Sequence, residues 1–447
     1  MHDVVRKVVS GRLENMFEAD DLSSDLSGRA MHHLVSELFP ICRSITGDGV
    51  RQTLRKIQDY IPLTTCEVPS GLKVFDWTIP AEWNIRDAYI KNSAGDRIVD
   101  LRASNLHVVS YSVPVHVRLS LAELKKHLFS DPDHPDCVPY RTSYYSPTWG
   151  FCVAHNQLVS LQEDEYEVCI DSVLEPGHLT YGQLRLAGNS TDEVLVSCHI
   201  CHPSLANDNL SGIAVAAALA QYLRNRDLRY SYRFLFVPGT IGSIAWLALN
   251  QAAIGSIKHG FVLTCVGDAG APTYKRSRRG EAEIDRAWVY TLQQSGDPFT
   301  VVPFSPFGYD ERQYCSPGIN LSVGCFMRTP HGKFPEYHTS ADNVSFVKPS
   351  ALRDSLDRAI ATIDVIENNV TYVNQKPMGE PKLGDYGLYS GIGGTSAGDY
   401  QMALLWLLNM SDGTASLLDI AERSGLPWDI LKQAAVALTS AGLLLRQ

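Results

Sequence analysis

Apolar and polar positions alternate with three different textures along the chain. Ser27 to Phe39 places its apolar residues at helical spacing and stops at Pro40, whose missing N–H ends a helix; Val50 to Tyr60 repeats that pattern. From about 64 to 160 the period shortens to that of strands, in Ala88-Tyr89-Ile90, Arg97 to Asp100, His107 to Tyr111 and Val115 to Leu119. Asn92 to Asp96 reads as a hairpin turn between two of them. Between about 165 and 375, strands alternate with helices: Glu193 to Cys198, helix Ser211 to Leu223, Tyr232 to Val237, helix Ser243 to Asn250, Phe261 to Val266, Asn320 to Cys325 and helix Pro349 to Asn368. Such alternation predicts an α/β fold with a largely parallel sheet covered on both faces. Gly384 to Gly398 reads as a linker, and the helical patterns Tyr400 to Asn409, Ser416 to Ser424 and Pro427 to Ala441 follow it. Ala421 to Pro427 has the glycine punctuation of a helix-turn-helix.

Composition narrows the function. The 447 residues carry 39 basic and 49 acidic side chains, a formal charge of −10, which argues against nucleic-acid binding by bulk electrostatics. The deficit persists at the C-terminal end: Arg423, Lys432 and Arg446 face Asp385, Asp399, Asp412, Asp419, Glu422 and Asp429. The helix-turn-helix pattern is therefore expected to contact a protein partner or a second copy of the chain. With no signal-type apolar run behind the N-terminus and no membrane-length apolar segment, the chain reads as cytoplasmic. Ten scattered cysteines suit reduced thiols, and the Cys198-x-x-Cys201 pair lacks a second pair to complete a structural zinc site. Arg43 to Gly49 lacks the Gly-Lys-Ser/Thr ending of a phosphate loop, and Lys275 to Arg279 reads as a solvated basic loop or an anion-recognition loop. Tyr144, Tyr145 and Trp149 fit either a cleft wall or the core of the β-rich module.

The chemistry concentrates in Ser197-Cys198-His199-Ile200-Cys201-His202-Pro203-Ser204-Leu205-Ala206-Asn207-Asp208-Asn209-Leu210-Ser211-Gly212. This segment leaves a predicted strand and enters a helix, so its polar groups emerge at the carboxyl edge of the sheet, where open α/β proteins place ligands. Taken singly, the histidines fit hydrogen-bonded loop residues and Asp208 fits a helix N-cap. Taken together with a later loop, Phe334-Pro335-Glu336-Tyr337-His338-Thr339-Ser340-Ala341-Asp342-Asn343, they supply the imidazole and carboxylate donors that zinc prefers.

These two segments resemble the co-catalytic zinc aminopeptidases of the bacterial leucyl aminopeptidase and glutaminyl cyclase type. With Phe39 to Asp48, Val74 to Pro80, Trp83 to Asp87 and Trp149 to Cys152, the whole chain is similar to a bacterial group of aminopeptidase-like proteins, often encoded near polysaccharide or secondary-metabolite genes. The resemblance implies an aminopeptidase-type, mostly parallel sheet sandwiched by helices, with an inserted β-rich domain and a C-terminal winged-helix-like domain. It places the core in 1–64 and 161–375, the insertion in 65–160 and the winged helix in 385–447.

The same resemblance assigns His199 and His338 as metal ligands and Asp208 as the carboxylate bridging one or two zinc ions, or other divalent metals. Family acids are missing from three places: Cys201 stands for the aspartate of His-x-Asp, Gly239-Thr240 for Glu-Glu, and Thr264 for a ligand aspartate. Nearby candidates to replace them are Asp268, Cys201 and His202 as ligands and Glu336, Asp310 or Glu311 as the base. The expected function is zinc-dependent hydrolysis of an amide or peptide bond in a small peptide or amide-containing metabolite. The alternatives are a catalytically altered binding or assembly protein on the same fold, or a single-zinc acyl transferase or cyclase.

Overall fold

A computed structural model describes residues 26–388 and 398–447. The predicted linker therefore lies mostly outside the described residues, as does the charged stretch before residue 26. The described residues divide into two compact units, one running to residue 282 and including 298–357, the other made of 283–297 and the described residues from 358 on.

In the first unit, helices α1 (Leu26–Leu38) and α2 (Asp48–Gln58) precede β1 (Thr64–Pro69). Next come β2 (Glu82–Lys91), β3 (Arg97–Asp100), β4 (Val115–Ser120) and β5 (Glu165–Glu175), which form an antiparallel sheet in the order β3-β2-β5-β4. Its core is Ala88, Ile90, Val168, Ile170 and Phe151, with Trp149 packed against them and stacked on His127. Trp149 thus belongs to this module and not to a cleft.

The main sheet adds β6 (His178–Leu186), β7 (Glu193–His199), β8 (Ser231–Val237), β9 (Ile257–Leu263), β10 (Thr273–Lys275), β11 (Thr300–Val302) and β12 (Val323–Met327). Strand order is β1-β6-β8-β7-β9-β12-β10-β11, parallel through the centre and antiparallel toward both sides. Two sequence boundaries move as a result. β1 joins the main sheet instead of the β-rich module, and β5 joins the β-rich sheet instead of the core.

β7 is buried along its whole length, as its run Val-Leu-Val requires of a central strand covered on both faces. Helix α3 (Gly212–Leu223) packs its alanines closely against this sheet, and its first residue explains how close. A Cβ on Gly212 would stand 2.5 Å from the Leu263 carbonyl oxygen, so only glycine lets the helix start against the end of β9. Parallel register puts His199 beside Val237, so β7 and β8 deliver His199 and the Pro238-Gly239 turn to one edge. Helix α4 (Ile241–Leu249) leaves that turn.

The second unit contains α5 (Glu283–Gln294) and the C-terminal part of α6 (Pro349–Asn368), followed by β13 (Thr371–Asn374), α7 (Asp399–Met410), β14 (Asp412–Ser416), α8 (Leu417–Ser424), α9 (Trp428–Ser440) and β15 (Leu444–Arg446). β13 pairs with both β14 and β15, so this domain begins near residue 370 and not at 385. Ser416 and Asp419 form a reciprocal capping box on α8, and Gly425 closes it in the left-handed region. Arg286 of α5 reaches Asp419 and Glu422. All ten cysteines are free thiols, and no described helix is long and apolar enough to cross a membrane.

The main sheet and the antiparallel β-rich sheet meet at Arg51 of α2, which grips Glu82 of β2 through two bonds of 2.6 and 2.8 Å. Glu82 also accepts the His178 N–H, and the Arg51 guanidinium holds its carboxyl down at about 2 despite burial. A carboxyl held below its unfolded value stabilises the fold above that value and loses the effect as pH falls through the interval. Glu82→Gln is therefore expected to cost about 2 kcal/mol at neutral pH and to flatten the loss of stability between roughly pH 5 and 2. Urea unfolding across that range measures it; parallel pH curves for the two proteins would contradict it.

Candidate metal centre

Asp208 sits in the turn Ala206–Ser211 ahead of α3, fully buried. Its two carboxylate oxygens are shared out. Oδ1 lies 2.9 Å from Nε2 of His199, while Oδ2 lies 3.0 Å from Nε2 of His338 and accepts the Tyr309 hydroxyl at 2.7 Å. Residues 130 positions apart thus converge on one carboxylate. His202 completes the group: donor atoms of His199, His202 and Asp208 all lie within 4.8 Å of one another.

Each imidazole is backed by a ring. Tyr309 stacks on His199 at 4.3 Å between centroids and Tyr337 on His338 at 3.9 Å, and the two phenol oxygens meet at 3.0 Å. Tyr140 sets its edge against both His202 and His338 at 5.1 Å. Burial works against the charge on Asp208, yet His202, His199 and His338 together hold it well below the ordinary carboxylate range. Dehydration pushes His202 down to about 3, which leaves it a neutral imidazole with a lone pair to give. Burial and the Asp208 charge raise the Tyr309 phenol, which therefore stays protonated as a donor.

Surrounding residues fix these groups in place. Asp342 accepts the backbone N–H groups of Asn207 at 2.6 Å and Asp208 at 3.0 Å; burial pushes its carboxyl up to about 8 against their pull. Asn209 ties the turn to β9 by donating to the Leu263 carbonyl at 3.0 Å. The buried Arg43 donates to the His202 carbonyl at 2.8 Å. His338 occupies the left-handed region, at φ 55°, and its carbonyl accepts the Tyr140 N–H at 2.7 Å. The β-rich segment around Val138 to Tyr140 thereby holds the second histidine loop.

The sequence-derived candidates separate clearly. His199, Asp208, His338 and His202 come together. Asp268 does not join them: its oxygens accept from Asn207, Gly270 and Thr329, which makes it a clamp for neighbouring loops. Cys201 is buried, donates toward the Gly239 carbonyl at 3.8 Å, and has its thiol pushed up to about 12 by burial, so it is not a ready thiolate. Glu311 is buried in an ion pair with Lys275 at 2.8 Å. Lys275 thus leaves the basic loop for the interior, and Arg278 and Arg279 are engaged by Asn320. Glu336 is half-buried in the turn that carries His338, its carbonyl accepting from Thr339. Asp310 is fully buried next to the Gly239 turn, and desolvation raises its carboxyl to about 6. Tyr309, Tyr337, Tyr140 and Asp342 lay within or near the motifs, but neither period nor spacing marked them, because their roles depend on contacts between distant loops.

Imidazole and carboxylate donors facing one another, with Nδ1 of His202 buried and lacking a hydrogen-bond partner, fit a zinc ion. His199, Asp208 and His338 would hold it, with His202 in reach.

The architecture is that of the aminopeptidase fold carrying a C-terminal winged helix. Residues 32–369 match the family described as a domain of unknown function, DUF4910, and the chain belongs to it; residues 370–446 match a winged helix-turn-helix family. A Clostridium acetobutylicum protein, provisionally named for polysaccharide biosynthesis with an aminopeptidase-like domain, is 50% identical over 94% of this chain and 97% of its own. A crystal structure from the same species, provisionally named a peptidase, is 49% identical over 95% of this chain and 97% of that one, with a TM-score of 0.91. A zinc aminopeptidase from Bacillus subtilis shares the fold at TM-score 0.54 and 14% identity, covering 75% of this chain and 94% of its own.

Asp342 is the support most exposed to test. Asp342→Ala leaves two buried N–H groups without an acceptor and is expected to cost about 2–4 kcal/mol, with Asp342→Asn costing less. Urea unfolding measures both; an alanine variant as stable as the parent would contradict the assignment.

Proposed function

We infer that the protein is a zinc-dependent amide hydrolase of the aminopeptidase type acting on a small substrate. The observation that carries this reading is the sharing of one buried carboxylate, Asp208, between the Nε2 atoms of His199 and His338. Bound zinc supplies Lewis-acid polarisation of a carbonyl and lowers the pKa of water. The chain's own residues do the rest. Asp208 gathers the donors, Tyr309 and Tyr337 stack on the imidazoles and fix their planes, and Asp342 holds the Asp208 backbone. Tyr140 and Tyr144, joined through their hydroxyls at 2.8 Å, continue from the histidines toward Tyr145 and the partly exposed Trp77. That aromatic wall suits a small organic amide, and the provisional naming of a relative for polysaccharide biosynthesis is consistent with a metabolite substrate.

The missing acids at Gly239, Thr240 and Thr264 favour one other reading, a binding protein that keeps the fold without turnover. Aminoacyl-arylamide hydrolysis with added zinc, manganese or cobalt separates the two. The hydrolase is expected to lose at least about a hundredfold in rate on chelation and in His199→Ala or His338→Ala, with metal content falling in parallel. Metal-independent turnover, or zinc binding unaffected by both substitutions, would overturn the assignment.

A further inference from the structure

In the aminopeptidase family the strand equivalent to β8 is followed by the glutamate that takes the proton from water, and this chain has Gly239 there. The space beside Gly239 nevertheless faces an acid. A Cβ built on Gly239 would stand 3.1 Å from Cβ of His199 and 3.6 Å from Oδ2 of Asp310. Asp310 comes from a separate part of the chain, just ahead of the short helix Glu311–Tyr314, and is fully buried. Its Oδ1 accepts the Ser243 hydroxyl at 2.6 Å, which fixes the carboxyl plane. Its Oδ2 is buried and has no hydrogen-bond partner among the described residues. Proteins rarely keep such an oxygen without a use, because burial without a donor is costly. Gln313 donates to Thr240 Oγ1 at 3.3 Å, so the Asp310 helix and the Gly239 turn are tied together.

We propose that Asp310 is the proton-accepting residue of this site, its carboxylate reaching across the notch that Gly239 leaves open. The acid has moved from one side of the notch to the other. A Cβ at 239 would press on His199 and come into contact with Oδ2. Asp310 takes one proton from the attacking water, the water oxygen bonds to the amide carbon, and that proton passes to the leaving nitrogen as the C–N bond breaks. Glu311 is not used, because it is paired with Lys275. This inference rests on the hydrolase reading.

The test compares the full-length protein with Asp310→Asn and the double variant Asp310→Asn, Gly239→Glu, reading arylamide turnover, zinc content and melting temperature. Asp310→Asn is expected to lose at least about a hundredfold in turnover with zinc content unchanged and melting temperature equal or higher. The double variant, which returns a carboxylate to the notch from the other side, is expected to regain at least about tenfold. Wild-type turnover in Asp310→Asn, loss of its zinc, or a melting temperature lower by more than about 5 °C would overturn the proposal. Zinc-loaded wild type without turnover on any arylamide removes the hydrolase reading instead. The melting comparison then still decides for Asp310: a more stable asparagine variant supports a carboxylate kept against stability, and a less stable one contradicts it.

Discussion

Asp208 is a charged group with no access to water, and a buried carboxylate survives only where other groups replace its hydration. Here Nε2 atoms of two histidines and one phenol share its oxygens, and two backbone N–H groups at 207 and 208 are clamped from the far side by Asp342. Much of the surrounding architecture can be understood as meeting that constraint. β7 must end at His199, α3 must start against β9 through Gly212, and the His338 loop must be pinned by Tyr140.

The β-rich module enters the same account. It is an insertion in sequence, but Tyr140 donates its N–H to His338, and Val138 and Ser340 exchange two further bonds. A loop that carries a donor histidine in a strained backbone conformation is thereby held by a loop of the β-rich module. The module shapes the site as well as flanking it, and Tyr140, Tyr144 and Tyr145 extend from the histidines along its edge.

What could be read from the chain follows from which forces are local. The central strands and α3 were legible because burial on both faces leaves continuous apolar runs such as Val194 to Val196 and a small-residue helix. His199 and Asp208 were legible because the loop between a buried strand and its helix has one place to go, the carboxyl edge of the sheet. Domain boundaries were less so. Whether β1 and β5 join one sheet or the other is decided by pairing partners distant in sequence, and β13, inside the span assigned to the core, is marked as part of the next domain only by its pairing with β14 and β15. The roles of Tyr309, Tyr337 and Asp342 depend on two loops meeting. Asp268 shows the reverse error: its position in sequence suggested a ligand, while four hydrogen bonds hold it to Asn207, Gly270 and Thr329. Asp310 was one of three candidate acids in the sequence, and only its place beside the Gly239 turn sets it apart from Glu311, which is paired with Lys275.

X-ray absorption at the zinc edge of the metal-loaded protein tests the convergence on Asp208 most directly. The account predicts one firmly bound zinc with a nitrogen and oxygen shell at about 2.0–2.1 Å, imidazole scattering beyond it and no sulfur. A sulfur shell near roughly 2.3 Å would place Cys201 in the sphere, and a spectrum without imidazole scattering would show that His199 and His338 serve Asp208 for structure alone.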